Sequence, residues 1–393
     1  MNLKKVTFKP ILISLSICFT LMVLLFLFIG ENLSSNRDET QLREVSKHGS
    51  KLTNQEFKEF STSMTFAAIG DILIHDRVYN DAKTGESYDF NPMFMAVKEY
   101  LDTPDLTIAN QETIIGGSEI GLSSYPSFNS PYELADSLID NGIDIVSIAN
   151  NHTLDRGEKA VMNATHYFDE IGLEYVGGYK NFEDQKKIRV MNRNGINIAF
   201  LSYTYGTNGI PVPEGKGYLV NLIDLPTIKK DIAEAKEVSD VVSVSMHWGN
   251  EYQRYPSDEQ QKLAQEIANA GADIIIGHHP HVLQPMSWID REDGGKTFII
   301  YSLGNFLSGQ IWDYKDIGGV IQLDIIKEIN AKDEVEIKIE NPVFTATYVT
   351  SQNQQNYRIV PLKDAGEVGL SNATGVYNEI NDHMFQWLVN ETN

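Results

Sequence analysis

From residue 64 onward the chain alternates short apolar runs of strand length with segments whose apolar residues recur at helical spacing. The strand-like runs lie at 65–69, 106–109, 143–149, 196–203, 240–246, 274–277 and 298–301. The helix-like segments are 92–101, 132–141, 159–171, 225–238 and 258–270. Strand alternating with helix predicts an α/β layered domain whose helices cover buried sheets. After Asn305 the helices stop. The stretches 320–326, 335–339 and 342–349 read as strands that either complete a second sheet or form a small β appendage, and 377–389 reads as a weak terminal helix.

The first 62 residues follow neither pattern. Residues 11–30 are uncharged throughout, long enough to cross a hydrocarbon core as a helix. Lys4, Lys5 and Lys9 precede the run and Glu31 follows it, which places the N-terminus in the cytoplasm and the main domain outside the cell membrane as a single-pass protein. A cleaved signal peptide would have a shorter apolar core and a small-x-small exit. A lipoprotein signal would put a small residue before the cysteine, whereas Ile17 precedes Cys18 and the apolar run continues. The expected organisation is a cytoplasmic tip and anchor at 1–30, a polar juxtamembrane stalk at 31–62, an α/β domain at 63–310 and a β-rich extension at 311–393.

Charge narrows the partners. The formal net charge is −22; without residues 1–30 the remainder holds 29 basic and 54 acidic side chains, a balance of −25. Such a surface repels nucleic acid and anionic lipid, so no nucleic-acid partner is expected. Cys18 is the only cysteine, so the fold must rest on its core rather than on disulfides.

The chemistry is concentrated where the predicted strands end. The run at 65–69 leads into Asp71 and His75, and that at 106–109 into Asn110 and Glu112. The run at 143–149 leads into Asn151, His152 and Asp155; that at 240–246 into His247, Trp248, Glu251 and Tyr252; that at 274–277 into His278, His279 and His281. Six of the nine histidines fall in four such loops. In α/β sheets the crevice at the carboxyl ends of the strands is where ligands bind. Imidazole combined with carboxylate and carboxamide oxygen suits a divalent transition metal such as Mn, Zn or Fe rather than calcium.

These segments, GDILIH (70–75), NQE (110–112), NNHTLDRG (150–157), HWGNEY (247–252), GHHPHVLQP (277–285) and YSLGNF (301–306), resemble the CapA/PgsA family of poly-γ-glutamate capsule synthesis proteins. That family is in turn similar to calcineurin-like metallophosphatases. The resemblance covers about residues 64–310 and implies a four-layer αββα metallophosphatase-like sandwich, preceded here by the transmembrane helix and followed by the β-rich extension. It also implies a site for one or two ions. Asp71, Glu112, Asn151, His247, His279 and His281 match metal positions, with Glu112 where metallophosphatases place a bridging aspartate. His75 is a further candidate, displaced because Asp-x-His has become Asp71-x-x-x-His75.

His152 is the candidate general acid, with Asp155 either orienting it or capping the helix that follows. Asn110, Trp248, Glu251, Tyr252 and Asn305 are candidate pocket residues, although for Trp248, Tyr252 and Phe306 core packing is the stronger reading. Two functions compete. One is a metal-dependent hydrolase or transferase acting on poly-γ-glutamate or a related anionic polymer. The other is a non-catalytic assembly factor for the membrane subunits of a polyglutamate synthase. A general phosphomonoesterase is a third reading. An outer surface this acidic disfavours free capture of a polyanion, and handover from a membrane synthase fits better.

Overall fold

The computed structural model describes residues 59–388, which fall within one compact unit. The expected anchor at 1–30 and nearly all of the expected stalk lie outside the described residues. Among those residues no helix is long and apolar enough to cross a membrane.

The main strands are β1 (Phe60–Leu73), β2 (Leu106–Gln111), β3 (Ile145–Ser147), β4 (Glu174–Val176), β5 (Arg189–Arg193), β6 (Ile196–Thr204), β7 (Val241–His247), β8 (Ile274–His278), β9 (Leu283–Asp290), β10 (Lys296–Leu303), β11 (Asn305–Ser308), β12 (Ile317–Ile329), β13 (Val335–Gln352) and β14 (Gln355–Pro361). The main helices are α1 (Glu133–Asp140), α2 (Gly157–Ile171), α3 (Leu225–Lys236), α4 (Asp258–Asn269) and α5 (Ala373–Phe385). One sheet runs β14-β13-β12-β1-β2-β3-β4 with β11 beside the end of β1; the other runs β9-β10-β8-β7-β6-β5.

Alternation along the strands explains how the layers form. In β6, Ile198 and Phe200 face the first sheet, and the ring of Phe200 lies 6.2 Å from that of Phe66. Their neighbours Ala199, Leu201 and Tyr203 turn the other way, onto Ile228, Ile232 and Ala235 of α3 and Ala264, Ile267 and Ala268 of α4. The same split separates Ile274 and Ile276 from Ile275, and Phe298 and Ile300 from Ile299. Each fully buried side chain of this size contributes roughly 1.5–3 kcal/mol over leaving it exposed. Against the first sheet α2 buries Ala160, Val161, Ala164 and Phe168. The result is a mixed α/β sandwich. Helix α4 starts where the side chain of Ser257 accepts from Gln260 N and that of Gln260 accepts from Ser257 N, a reciprocal cap that fixes the entry of the chain.

Two expectations change in detail. The stalk, set to run to residue 62, gives way earlier, because β1 already pairs with β12 at Phe60↔Ile329. The strands after 310 form no appendage: β12 lies antiparallel along β1 from Phe60 to Ile69, and β13 and β14 extend the same sheet. The stretches 335–339 and 342–349 are one strand, bent near Asn341, whose φ is +53°. The segment 92–101 breaks into the turns Asn91–Phe94 and Glu99–Asp102, yet Met93, Phe94, Val97 and Leu101 all reach the core as its spacing predicts.

Because β12 supplies the neighbour of β1 along most of its length, a chain ending at residue 310 should lose cooperative thermal unfolding followed by circular dichroism. A truncated chain that melts like the parent would show that 63–310 is self-sufficient.

Candidate metal centre

The carboxyl ends of β1, β2 and β3 in one sheet meet those of β7 and β8 in the other, and the polar residues that end each strand are brought together there. A close backbone approach makes this possible. A Cβ on Gly70 would sit 2.1 Å from the Gly304 carbonyl, and without one Asp71 N donates to that same oxygen at 2.8 Å. Asp71 thereby comes into register with Asn305 of β11.

Glu112, His247 and His279 bring three donor atoms within 4.8 Å of one another, and so do Asp71, Glu112 and His281. Glu112 belongs to both groups. Its Oε1 stands 3.6 Å from His247 Nε2 and 3.7 Å from His281 Nε2. A third group joins the exposed Glu251 to His279 and His281. Asn151 Oδ1 lies 2.9 Å from His247 Nε2 across the seam between the sheets. Asn110 Nδ2 donates to Asp71 Oδ1 at 2.8 Å, so this residue braces a ligand rather than lining an open pocket.

The donor set fits a divalent metal on one physical observation. Both carboxylate oxygens of Glu112, fully buried, lack any hydrogen-bond partner among the described residues, as do Asn110 Oδ1, Asn305 Oδ1, and Nδ1 of His278 and His279. Buried polar atoms are nearly always satisfied, and a cluster of orphans aimed inward asks for a cation. The backbone supports this reading: His279 and His281 hold φ of +95° and +57°, a region costly for side chains with a Cβ and typical of functional constraint.

Burial pushes Glu112 well above the usual carboxylate range; His281 partly opposes this, while the charges of Asp71 and Glu251 reinforce it. Burial would also raise Asp71, but the facing His278 and His281 hold it well below its ordinary value. His278 Nδ1 stands 3.4 Å from Asp71 Oδ1 without making a hydrogen bond, and His281 Nδ1 lies at 3.1 Å from Asp71 Oδ2. Burial lowers His279 to about 3 and keeps His247 well below its usual range, so both are neutral ligands. Burial would lower His281 too, but Glu112 and Asp71 raise it to about 9.

At the mouth, His152 Nδ1 and Asp155 Oδ2 are 2.7 Å apart, and the same oxygen accepts from Phe128 N at 2.7 Å. Asp155 is therefore not a helix cap; α2 starts after Arg156 with no side-chain cap.

Other expected residues fall elsewhere. His75 joins none of the three groups. The residues 72–74 carry it past the strand end, where its Nδ1 meets Leu73 O and Gly309 N, and Phe128 packs edge-on against both its ring and that of His152. Trp248 is core on one side, its Nε1 donating to Tyr301 O, and floors a cleft on the other. Asn305 Nδ2 is held by Gln310 Oε1 and Lys315 O. Tyr252 is half exposed, 6.1 Å from the His281 ring, with the Lys315 ammonium 5.2 Å above it.

Reasoning from sequence missed the loop after β6. Tyr205 lies 4.7 Å from the His279 ring and parallel to that of His247, and Asn208 Oδ1 accepts from Asn151 Nδ2 at 3.3 Å. No histidine marks that loop, and its first acid, Glu214, lies beyond the Asn208-Gly209 turn pair that signals it.

The fold and site together define an α/β sandwich with a buried histidine–carboxylate centre suited to divalent metal. The family model described as "Bacterial capsule synthesis protein PGA_cap" matches residues 65–310, and the chain belongs to that family. It is similar to "Capsule biosynthesis protein CapA" of Bacillus anthracis, 33% identical over 66% of this chain and 63% of that protein, so the match leaves over a third of the relative uncovered. It is also similar to "PGA biosynthesis protein CapA" of Bacillus subtilis (strain 168), 29% identical over 84% of this chain and 81% of that one. Among solved structures, the calcineurin-like phosphoesterase YfkN from Bacillus subtilis is 15% identical, with a TM-score of 0.43 over 76% of this chain and 95% of that one.

Metal uptake must displace the proton of His281, so affinity should rise as pH rises toward about 9, with a proton released on binding. The metal-free chain should run the other way. The charged His281 stabilises it fully below that group's ordinary 6.5, and this contribution is lost as pH rises through about 9. Metal titrations and thermal melts across this range check both signs; pH-independent affinity would refute the protonation scheme. Glu112→Gln should remove most metal while leaving the metal-free melting temperature unchanged or higher, because it replaces a buried carboxylate that accepts no hydrogen bond.

Proposed function

We propose that this chain is a membrane-tethered, outward-facing component of poly-γ-glutamate capsule synthesis or export, acting as a metal-dependent hydrolase or transferase on an amide or ester of that anionic polymer. The observation that carries the catalytic part is the bare carboxylate of Glu112, shared by two donor groups, beside the His152–Asp155 pair. The names of the Bacillus relatives support the pathway, and the charge pattern of residues 1–30 supports the tether. The membrane subunits of a polyglutamate synthase are the proposed partners.

A Mn, Zn or Fe ion held by Asp71, Glu112, His247, His279 and His281, with Asn151 alongside, would polarise a carbonyl or phosphoryl oxygen and ionise a water near neutral pH. The chain's own residues do the rest. Asp155 holds His152 by Nδ1 and fixes its ring; the Phe128 N–H fixes Asp155 in turn. That leaves His152 Nε2 to give a proton to a leaving group. Tyr205 and Tyr252 remain neutral donors at the mouth, burial first and the Glu251 charge second raising each to about 12.

The second reading is a non-catalytic assembly factor. A net charge of −22 and the exposed Glu251 beside the histidines favour it, since both oppose unaided capture of a polyanion.

His152→Ala decides between them. The catalytic reading expects unchanged metal content and melting temperature with polymer output reduced by about 10²–10⁴-fold, the range for loss of a general acid. Asp155→Asn should give a smaller loss in the same direction. Full output from a folded, metal-loaded His152→Ala chain would leave the assembly role standing.

A further inference from the structure

A cleft of about 680 Å³ opens beside His279. Tyr205, Glu251, the apolar Trp248 and Leu263, and Glu259 on the first turn of α4 line it. His279 is 3% exposed, its Nδ1 has no partner among the described residues, and it lines this space. The loop and helix can meet there because residue 249 is a glycine: its φ is +81°, and a Cβ would stand 2.5 Å from Gln260 Oε1.

The charge of this cleft is one-sided. Glu251 and Glu259 are both exposed carboxylates, and no lysine or arginine lines it. At the start of α4 the Ser257 side chain takes up the Gln260 N–H and the Gln260 side chain that of Ser257. A carboxylate of the substrate would meet repulsion from two acids over an apolar floor, whereas an ammonium would find charge-assisted acceptors and an aromatic wall. Near His281, Lys315 lies over the Tyr252 ring and 3.6 Å from the exposed Asp313, and carries the positive charge that a substrate carboxylate needs.

We infer that this cleft is a subsite for a primary amine, which places the amine-bearing part of the substrate at Glu251 and Glu259 and its carboxylates toward Lys315. The inference deepens the proposed polymer-directed reading: the group held beside His279 is an amino end or an amine acceptor, not the polyanionic body. Glu259 is the specificity-determining residue, since it touches neither the histidine cluster nor any of the three donor groups.

The test uses the full chain in detergent, with metal and without, titrated calorimetrically with 1,5-diaminopentane and with glutarate, two probes of equal carbon length and opposite charge. The expected result is binding of the diamine in both metal states. Glu259→Gln should weaken it by about tenfold, the worth of one charge-assisted hydrogen bond, with metal content and melting temperature unchanged. A γ-linked glutamyl peptide with its amino end free or acetylated then separates a polymer end from a small amine: binding of the free form alone assigns the polymer end, and binding of neither assigns a small amine acceptor. Failure of the diamine to bind, or glutarate binding that strengthens in Glu259→Gln, overturns the inference. Neither readout needs turnover, so loss of the catalytic reading through His152→Ala is scored separately.

Discussion

A carboxylate sealed from water with no donor to meet it is the constraint around which the rest of the molecule is arranged. Glu112 is fully buried and unpartnered, Asp71 lies nearby, and the effective penalty for such an ion is several kcal/mol. The metal-free chain relieves this by placing His281, raised to about 9, against Asp71 and 3.7 Å from Glu112. A cation bound among them would take up the orphaned oxygens and ring nitrogens together. The strands of both sheets end at the same level because that is where those ligands must be delivered.

Delivering them costs backbone strain of roughly 1–3 kcal/mol per residue at His279 and His281. The surroundings hold the loop in place. Tyr252 N donates to Pro280 O, Trp248 N to His278 O, and His383 of the terminal helix reaches Leu283 O from the far side. Arg254, salt-bridged to Glu379 of that helix, lies 3.8 Å over the Tyr314 ring and ties two loops of the site together. A residue such as His383, remote in sequence and chemically silent, is therefore part of what keeps the ligands aimed.

How much of this was legible in the sequence varies with the physical signal. Buried parallel strands such as Ile274–His278 announce themselves as apolar runs, and the residues ending them were read as ligands because position and residue type agree. The edge strand Arg189–Arg193 gives no clear signal, since Val190 and Met191 put one apolar residue on each face among Arg and Asn, and Leu283–Asp290 is hidden behind the motif it continues. His75 misled because spacing alone does not say which way a loop turns. Tyr205 and Asn208 escaped notice because a tyrosine and an asparagine carry no ligand signature until the fold sets them against His279 and Asn151. His278 was seen within its motif but given no role, and only the structure puts it 3.4 Å from Asp71.

The pairing of β1 with β12 has a consequence in time as well as in space. The first strand of the domain meets its antiparallel neighbour only when Ile317–Ile329 has been made, after every other element that feeds the centre. Contacts so distant in sequence slow folding, because the loop between them must close before they form. During synthesis one flank of β1 stays an open edge while the histidines and carboxylates are already present. A chain in that state would meet metal before its scaffold is complete, so the order of closure and loading is set by where the last long strands were placed in the sequence.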